Sequence, residues 1–221
     1  SLASSSDGSV FQAGRFRGRT ARFDGLQLES LRSNGVYLVR YNPGGEMRWA
    51  THFDTAEPSV GNAYAAVAVD ENGFSWLAGS FIGEAEIAGR KVKSLGKEDV
   101  CVVRFSPEGQ PLTVTGFGGP GTDICRAAAT TSRGVVFAGH YEQTLRAGTN
   151  VLTASGDPPT DAFVAKLDEQ GDTLWVIGPS DTTREEYAVA VAAAPGGAFV
   201  VGGGLTGKAT FGDYRFDLDL P

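Results

Sequence analysis

The sequence predicts an all-β repeat protein, and three observations support that prediction. The stretch DAFVAKLDEQGDTLW at residues 161–175 has two earlier counterparts, GVYLVRYNPGGEMRW at 35–49 and DVCVVRFSPEGQPLT at 99–113. Glycine is about twice as frequent as in ordinary proteins, with 31 glycines in 221 residues. Short runs of alternating apolar and polar residues end at these glycines, and no stretch has the period of a helix.

Each copy of the recurring stretch is predicted to form a β-hairpin. The turn glycines Gly45, Gly109 and Gly171 are separated by 64 and 62 residues, which sets the repeat length. Alternation along the first strand places apolar and aromatic residues on one face. We expect that face to be buried in all three copies, through Tyr37, Val39 and Tyr41, then Cys101, Val103 and Phe105, then Phe163, Ala165 and Leu167.

A second kind of hairpin is predicted from a strand that recurs four times, at residues 9–14, 74–79, 135–139 and 198–202. Before the last three copies, an apolar run supplies a leading strand that ends in a tight glycine turn. The first copy is predicted to lack this leading strand, because residues 1–8 (SLASSSDG) are small and polar, as in a linker. The folded domain is therefore expected to span residues 9–221.

A polar excursion with its own apolar pattern follows each copy of that strand, and we expect each excursion to form a small exposed hairpin. One repeat then contains strand, strand, excursion, strand and strand, which is the content of a four-stranded β-propeller blade. Its length of about 63 residues exceeds the roughly 40 to 50 of WD40 or kelch blades, and the excursion accounts for the difference. The predicted fold is all-β, with about three and a half propeller-type blades in a partial or arc-like arrangement.

The order of these elements resembles the bacterial β-propeller repeats called SBBP repeats. AVAVDENGFSWLAGSF, an excursion and DVCVVRFSPEGQPL follow one another, and DAFVAKLDEQGDTLW is followed by YAVAVAAAPGGAFVVGG. The pattern departs where Gly35 replaces an acidic residue, Cys101 an aromatic residue and Thr113 a tryptophan. The resemblance implies a propeller of about seven blades on an exported or surface-associated bacterial protein, without a common catalytic residue.

The number of repeats predicts open strand edges. Three repeats and part of a fourth do not close a ring, since propellers have about four to eight blades. Unpaired edges pair readily with other chains. We therefore expect either a piece of a longer propeller or two copies that complete one ring, with the isolated chain forming a dimer or a larger species.

The charge of the chain argues against some classes of partner. A net charge of −7 and a pI near 4.9 do not suit nucleic acid or an anionic membrane surface, because both require clustered cations. No apolar run approaches the roughly 18 residues of a membrane span. We expect an extracellular or cell-surface location with any export signal removed, and we expect no cofactor.

Glycines and cysteines that carry chemistry in other proteins have structural interpretations in this sequence. Gly116, Gly118 and Gly121 match G-x-G-x-x-G, but another β-repeat follows them, so we expect a turn between blades. Cys101 and Cys125 stand at aromatic positions, the latter aligned with Tyr64 and Tyr187, and are expected to be buried free thiols. A disulfide between them is the alternative.

Histidines and acidic pairs also receive structural interpretations. His52 and His140 stand at variable positions and are expected to lie in surface loops. The pairs Glu185 with Glu186 and Asp217 with Asp219 are expected to be solvated, with calcium binding or glycosidase chemistry as the alternative.

One candidate binding site recurs with the repeats. Arg40, Arg104 and Lys166 occupy the same position in three copies, so ring geometry would place them at equal radius on one face. Such a ring would bind an anionic partner, namely an acidic glycan or a protein carboxylate. The alternative is that their stems cover apolar surface while their charged ends reach water.

These observations favour a non-enzymatic binding or scaffold module that recognises a protein or a glycan through its loops. Two alternatives stay open. One is a fragment of a carbohydrate-active propeller enzyme whose catalytic residues lie outside this chain, and the other is a cleaved recognition substrate of another protein system. Acidic pairs at the centre of a longer propeller would favour the enzyme, whereas further repeats alone would favour the scaffold.

Overall fold

The computed structural model describes residues 1–32, 34–55, 65–87, 89–131, 133–157, 159–180 and 182–218. Within these ranges the chain forms β-strands joined by turns, and its helical structure is a single 3-10 turn, Pro195–Gly197. The prediction of an all-β protein is confirmed.

The first sheet is built from one complete repeat. Its hairpin excursion pairs β3 (Thr20–Phe23) with β4 (Leu26–Glu29). Its antiparallel strands lie in the order β1 (Leu2–Ser4), β2 (Val10–Arg17), β5 (Asn34–Tyr41) and β6 (Met47–Thr55).

The strand β1 corrects the prediction for the N-terminus. Leu2 pairs with Gln12 and Ser4 with Val10, and the N-terminal amine donates a hydrogen bond to the Ala13 carbonyl at 2.9 Å. Residues 1–8 are therefore not simply a linker, and the first repeat does have a leading strand. The short segment Leu2–Ser4 shows no clear alternation of apolar and polar residues, but its backbone groups find hydrogen-bond partners on β2.

The second and third sheets repeat this order. The second contains β7 (Ala65–Val69), β8 (Ser75–Phe81), β11 (Asp99–Phe105) and β12 (Pro111–Phe117), with the excursion β9 (Glu84–Ile87) and β10 (Arg90–Lys93). The third contains β13 (Asp123–Thr131), β14 (Gly134–Glu142), β17 (Thr160–Leu167) and β18 (Thr173–Ile177), with the excursion β15 (Thr144–Ala147) and β16 (Asn150–Thr153).

The fourth sheet has two strands within the described part of the chain. They are β19 (Glu186–Ala193) and β20 (Phe199–Leu205), followed by the excursion β21 (Lys208–Phe211) and β22 (Tyr214–Asp217). The end of the last excursion, from residue 219 to residue 221, lies outside the described residues.

The last three excursions connect neighbouring sheets, which corrects the expectation that they are simply exposed. Thr55 at the end of β6 pairs with Ala85, so that β9 and β10 extend the first sheet. The equivalent bridges join Gly118 to Arg146 and Ser180 to Thr210. Each of these three excursions buries an alanine or leucine, namely Ala85, Leu145 and Ala147, or Ala209. Local alternation predicted the hairpins but not what covers their inner face.

The sheets stack in sequence order, and the leading strands β1, β7, β13 and β19 contact one another in succession. Large side chains fill the junction between the first and second sheets, among them Phe11, Leu38, Phe53, Leu77 and Phe105. The junction between the second and third sheets contains Trp76, Phe117, Phe137, Phe163 and Leu167. The buried cluster between the third and fourth sheets consists of three alanines, Ala138, Ala162 and Ala188.

The predicted apolar face of the recurring hairpin is buried where a preceding sheet covers it. Phe163 and Phe105 are fully buried, as expected. In the first sheet Tyr37 and Tyr41 are only half-buried, because no described sheet precedes them. Phe23 of the first excursion packs on Tyr37, with ring centroids 4.8 Å apart.

Candidate binding site

Two of the three cations predicted to form a ring contact a neighbouring sheet. Arg40 on β5 donates through Nη1 to the Pro107 carbonyl at 2.7 Å, and through Nη2 to an Asp7 carboxylate oxygen at 3.0 Å. Its guanidinium lies 5.5 Å from the centroid of the Phe11 ring. Pro107 belongs to the turn between β11 and β12, so this contact joins the first sheet to the second.

Arg104 makes the equivalent contact one repeat later. Its Nη1 donates to the Glu169 carbonyl at 2.9 Å, in the turn between β17 and β18. Its guanidinium lies 4.5 Å from the Phe74 ring and 5.0 Å from the Trp76 ring, and its side chain is 12% exposed. The stems of both arginines therefore lie over aromatic surface, as one interpretation expected, but their charged ends reach the next turn.

Lys166 is the third member of the series and has a different environment. It lies directly across from Trp175, as Arg40 lies across from Trp49. Within the described residues the Lys166 ammonium has no hydrogen-bond or ion-pair partner. The turn that would correspond to Pro107 and Glu169 belongs to a third and fourth strand that the described part of the fourth sheet does not contain.

An apolar groove of about 810 Å³ lies beside the fourth sheet. One wall comes from β17 and β18 with the residues after them, and includes Val164 and Ile177. The other wall comes from β19, β20 and the last excursion, and includes Tyr187, Val201 and Phe216. A volume of this size lies within the range of ligand sites, and the lining is mostly aliphatic and aromatic.

One edge of β20 has no strand partner in the described chain. The equivalent strands β2, β8 and β14 each pair on both edges, whereas β20 pairs with β19 alone. Side chains near this edge are exposed, among them Val200, Val201, Phe211 and Tyr214. An exposed apolar patch next to an unpaired edge is a site for another polypeptide segment.

A pair of buried acids lies at the junction between the second and third sheets. Asp99 accepts a hydrogen bond from the Leu95 amide at 2.9 Å, and Asp123 accepts one from the Gly119 amide at 2.6 Å. Burial raises the pKa of Asp99 to about 6, and burial together with the Asp99 charge raises the pKa of Asp123 to about 8. Proximity of two such groups favours their neutral form.

A second acidic pair occupies the next junction at the same repeat positions. Thr182 donates to Asp161 at 2.7 Å, and Glu186 is fully buried. Burial and the neighbouring Asp161 raise the pKa of Glu186 to about 8, and burial also raises the pKa of Asp161. The expectation that Glu186 is solvated is therefore wrong, because Asp161 and the third sheet cover it.

The other acidic pair is only partly described. Asp217 is exposed and forms an ion pair with Lys208 at 3.3 Å, as expected for a solvated group. Its predicted partner Asp219 lies outside the described residues.

The two cysteines are buried and free, which confirms that prediction. Cys101 faces the junction between the first and second sheets, and Cys125 faces the next junction, so the two side chains belong to different cores. The proposed alignment of Cys125 with Tyr187 is wrong by one residue. Cys125 pairs with Gly139 as Ala188 pairs with Gly203, while Tyr64, the other aligned residue, lies outside the described residues.

The histidines and the glycine motif occupy strands and strand ends. His52 lies on β6, 3.3 Å from Asp54, and His140 lies on β14, so the expected surface loops are wrong. Burial and the neighbouring Arg126 lower the pKa of His140 to about 4. The segment of Gly116, Gly118 and Gly121 ends β12 and leads into strand β13, as the structural interpretation expected.

Metal-binding clusters and membrane-spanning helices are both absent from the described residues. No group of three or more His, Cys, Asp or Glu side chains is arranged to hold a metal ion in this part of the chain. Over the same residues, no helix is long and apolar enough to cross a membrane.

Comparison of the sequence with protein-family models and with curated proteins finds no match.

Proposed function

We propose that the chain is an arc of a β-propeller that acts as a non-enzymatic protein-binding module, taking up a β-strand at the free edge of β20. The observation that carries the proposal is the apolar groove beside that edge. The repeated strand order, the succession of contacts between leading strands and the resemblance to SBBP repeats support the propeller arrangement.

A strand added at β20 would gain two kinds of interaction. Its backbone would form ladder hydrogen bonds with the free edge, which provide much of the affinity in strand addition. Its side chains would remove apolar surface from water, at about 25 cal/mol for each Å² buried. Val201 and Phe211, both exposed at present, are part of the surface that would be covered.

The earlier sheets supply the register of the added strand. In the first sheet Gly14 pairs with Tyr37, and in the third Gly139 pairs with Phe163. These glycines accommodate the rings closely, since a Cβ at Gly14 would lie 2.6 Å from the Tyr37 hydroxyl and one at Gly139 would lie 3.0 Å from Phe163. Gly203 holds the same position on β20 and is exposed to the groove. We therefore expect a partner strand with an aromatic residue opposite Gly203.

A strand peptide tests this proposal. The peptide with the sequence of residues 161–167, DAFVAKL, contains the aromatic residue at the required position. Hydrogen exchange measured by mass spectrometry should show that the peptide, but not a scrambled version, protects the amides of β20. Val201→Lys places a charge in the groove and should abolish protection, whereas Leu31→Lys, at a residue 91% exposed and outside the groove, should not. Unchanged exchange at β20 at millimolar peptide contradicts the proposal.

The free edge of β20 would also allow two copies of the chain to associate. Two copies that cover each other's open edges would give a dimer or a larger species, which light scattering over a wide concentration range would detect. A monomer at every concentration would mean that a second copy does not cover the edge.

We also propose an extracellular or cell-surface location in a bacterium, which rests on the resemblance to SBBP repeats. Digestion of intact cells with an added protease tests it, because only a surface protein is cleaved while the cells remain sealed. Protection until the cells are lysed would contradict this location.

A further inference from the structure

We infer that Lys166 and Trp175 form a docking site for the glycine turn of a β-hairpin that has this chain's own repeat pattern. The inference rests on the proposed strand uptake at β20 and specifies its partner. It assigns a role to the one member of the cation series that has no partner in the described chain.

The junction between the first and second sheets shows such a docking site occupied. The Pro107 carbonyl accepts two hydrogen bonds, from Arg40 Nη1 at 2.7 Å and from Trp49 Nε1 at 2.9 Å. The turn glycine Gly109 lies against the indole, since a Cβ at that position would be 2.7 Å from Trp49 Cδ2. A cation and a tryptophan on paired strands thus hold the turn of the following sheet.

The next junction holds its turn in a related way. Arg104 donates to the Glu169 carbonyl at 2.9 Å, and Thr115 donates to the Gly171 carbonyl at 2.8 Å. Thr113 replaces the tryptophan across from Arg104, and a Cβ at Gly171 would lie 3.2 Å from its Oγ1. The close contact of the turn glycine with the preceding sheet is therefore retained when threonine replaces the tryptophan.

The third sheet combines a cation and a tryptophan, as the first sheet does. Lys166 and Trp175 are paired across β17 and β18, and both are half-buried. The Trp175 indole stacks on Phe199, with ring centroids 5.6 Å apart. Phe199 lines the groove beside β20. A hairpin that pairs with β20 in the register of the third sheet, where Val135 pairs with Leu167, would bring its turn to the Phe199 end of β20, next to Trp175. Lys166 lies across from Trp175 at that end.

The chemistry of the site defines the turn that it accepts. Lys166 and the Trp175 indole provide N–H donors only, so the partner must present a backbone carbonyl. Gly109 and Gly171 both have positive φ, at 84° and 86°. Both also lie too close to side chains of the preceding sheet to carry a side chain of their own. An acidic residue before the glycine suits the cation, as the ion pair of Arg104 with Glu169 at 3.9 Å shows. The expected partner is a hairpin whose turn contains an acid and a glycine.

A hairpin peptide with the sequence of residues 161–177 provides the test, because it contains the strand DAFVAKL and the turn DEQG. Fluorescence anisotropy of the labelled peptide measures its affinity for the full chain. Loss of a charge-assisted hydrogen bond weakens binding by at least about tenfold. We expect that loss for Lys166→Ala. Trp175→Ala should also weaken binding, because it removes an indole hydrogen bond and the surface on which the turn glycine packs. Gly171→Val in the peptide should weaken binding because a side chain there would clash, as a Cβ at Gly109 would with Trp49.

Controls separate this inference from the proposed function. Lys166→Arg should retain binding, because arginine stands at the other two positions, and the exposed Lys91→Ala should not affect it. The shorter strand peptide should bind the Lys166→Ala and Trp175→Ala variants as it binds the unaltered chain. Equal binding of the hairpin to the unaltered chain and to both variants overturns the inference and leaves strand uptake intact. Failure of both peptides to bind overturns both, and thermal melts of each variant check that it is folded.

Discussion

The junction between the second and third sheets and the junction between the third and fourth sheets are built from the same repeat positions, yet only the first of them is filled. Phe137 on β14 is fully buried, whereas Val201, at the same position of β20, is 37% exposed. Gly139 is buried and Gly203 is exposed. The difference arises because β14 is covered by β17 and β18, while β20 has no such strands in the described chain.

This difference shows where a repeat obtains its stability. The second sheet buries one face against the first sheet and the other against the third, as expected of stacked repeats. Arg40, Arg104 and the last three excursions contact a neighbouring repeat in addition to their own. The turn glycines Gly109 and Gly171 lie against the preceding repeat. A two-stranded sheet has one such neighbour and leaves apolar side chains exposed, which is the physical reason for proposing that it takes up a further strand.

The largest expected effect comes from truncating matched residues in the two junctions. Phe137→Ala leaves a cavity between the second and third sheets and should lower the free energy of unfolding by about 3–5 kcal/mol. Val201→Ala removes a partly exposed side chain and should lower it by less than about 1 kcal/mol. Urea denaturation followed by circular dichroism measures both. Similar losses would show that the junction between the third and fourth sheets is packed as firmly as the junction between the second and third.

The buried acids predict how the junctions respond to pH. Burial and the neighbouring Asp99 raise the pKa of Asp123 to about 8 from an ordinary value of 3.8, so Asp123 binds its proton more tightly in the folded state. Its stabilising contribution is therefore complete below the unfolded value and is lost as pH rises through about 8. For each such group the free energy of unfolding falls by up to about 1.4 kcal/mol for each pH unit within that window.

Substitutions at the two acidic pairs test this pH dependence. Asp123→Asn should flatten the slope between pH 5 and 8 and make the variant more stable than the unaltered chain at pH 8, by about 1 kcal/mol or more. The exposed Asp213→Asn is the control. Glu186→Gln should mainly affect exchange of the amides in β19, because the fourth sheet can open separately. A slope that survives Asp123→Asn would assign the pH dependence to another group.

The sequence predicted the hairpins, which depend on residues close together in the chain. It missed the contacts that each repeat makes with the next one. Turn glycines and alternating apolar residues identified the hairpins around Gly45, Gly109 and Gly171, because those signals lie within a few residues. The burial of Glu186 was missed, because the covering Asp161 is distant in sequence. The repeated position identified Arg40 and Arg104 as candidates, but it did not predict the hydrogen bonds that they make. A turn one repeat later provides their acceptors, and spacing alone does not show that the two meet.

A smaller effect is expected from the cation series. Arg104→Ala removes a hydrogen bond to the Glu169 carbonyl and the contacts with two aromatic rings, so it should cost about 1–2 kcal/mol. Lys166→Ala should change the free energy of unfolding by less than about 0.5 kcal/mol, because its charged end holds no described turn. Thermal and urea denaturation of both variants measure the contrast. Equal costs would mean that Lys166 already supports the fold in the absence of a partner.

The smallest effect on stability is expected from Ala188→Cys, but this change reports on local opening. Ala188 and Cys125 are both buried and face Gly203 and Gly139 in the same register. Burial raises the pKa of Cys125 to about 12, so its thiol reacts at neutral pH only after the surrounding strands open. Opening β19 exposes a small cluster of three alanines with Val164 and Val191 packed against it, whereas opening β13 disrupts a junction of large aromatic side chains.

The thiol introduced by Ala188→Cys should therefore be alkylated at least about tenfold faster than Cys125, since local opening free energies vary widely within one protein. Mass spectrometry of the digested protein separates the two sites and Cys101, so no background substitution is needed. Adding the hairpin peptide of residues 161–177 should slow alkylation at position 188 and leave Cys125 unchanged, because a strand at β20 would close the junction between the third and fourth sheets. Equal rates without peptide would show that the two-stranded sheet is as firmly held as the complete ones, and its free edge would then be no reason to expect a partner.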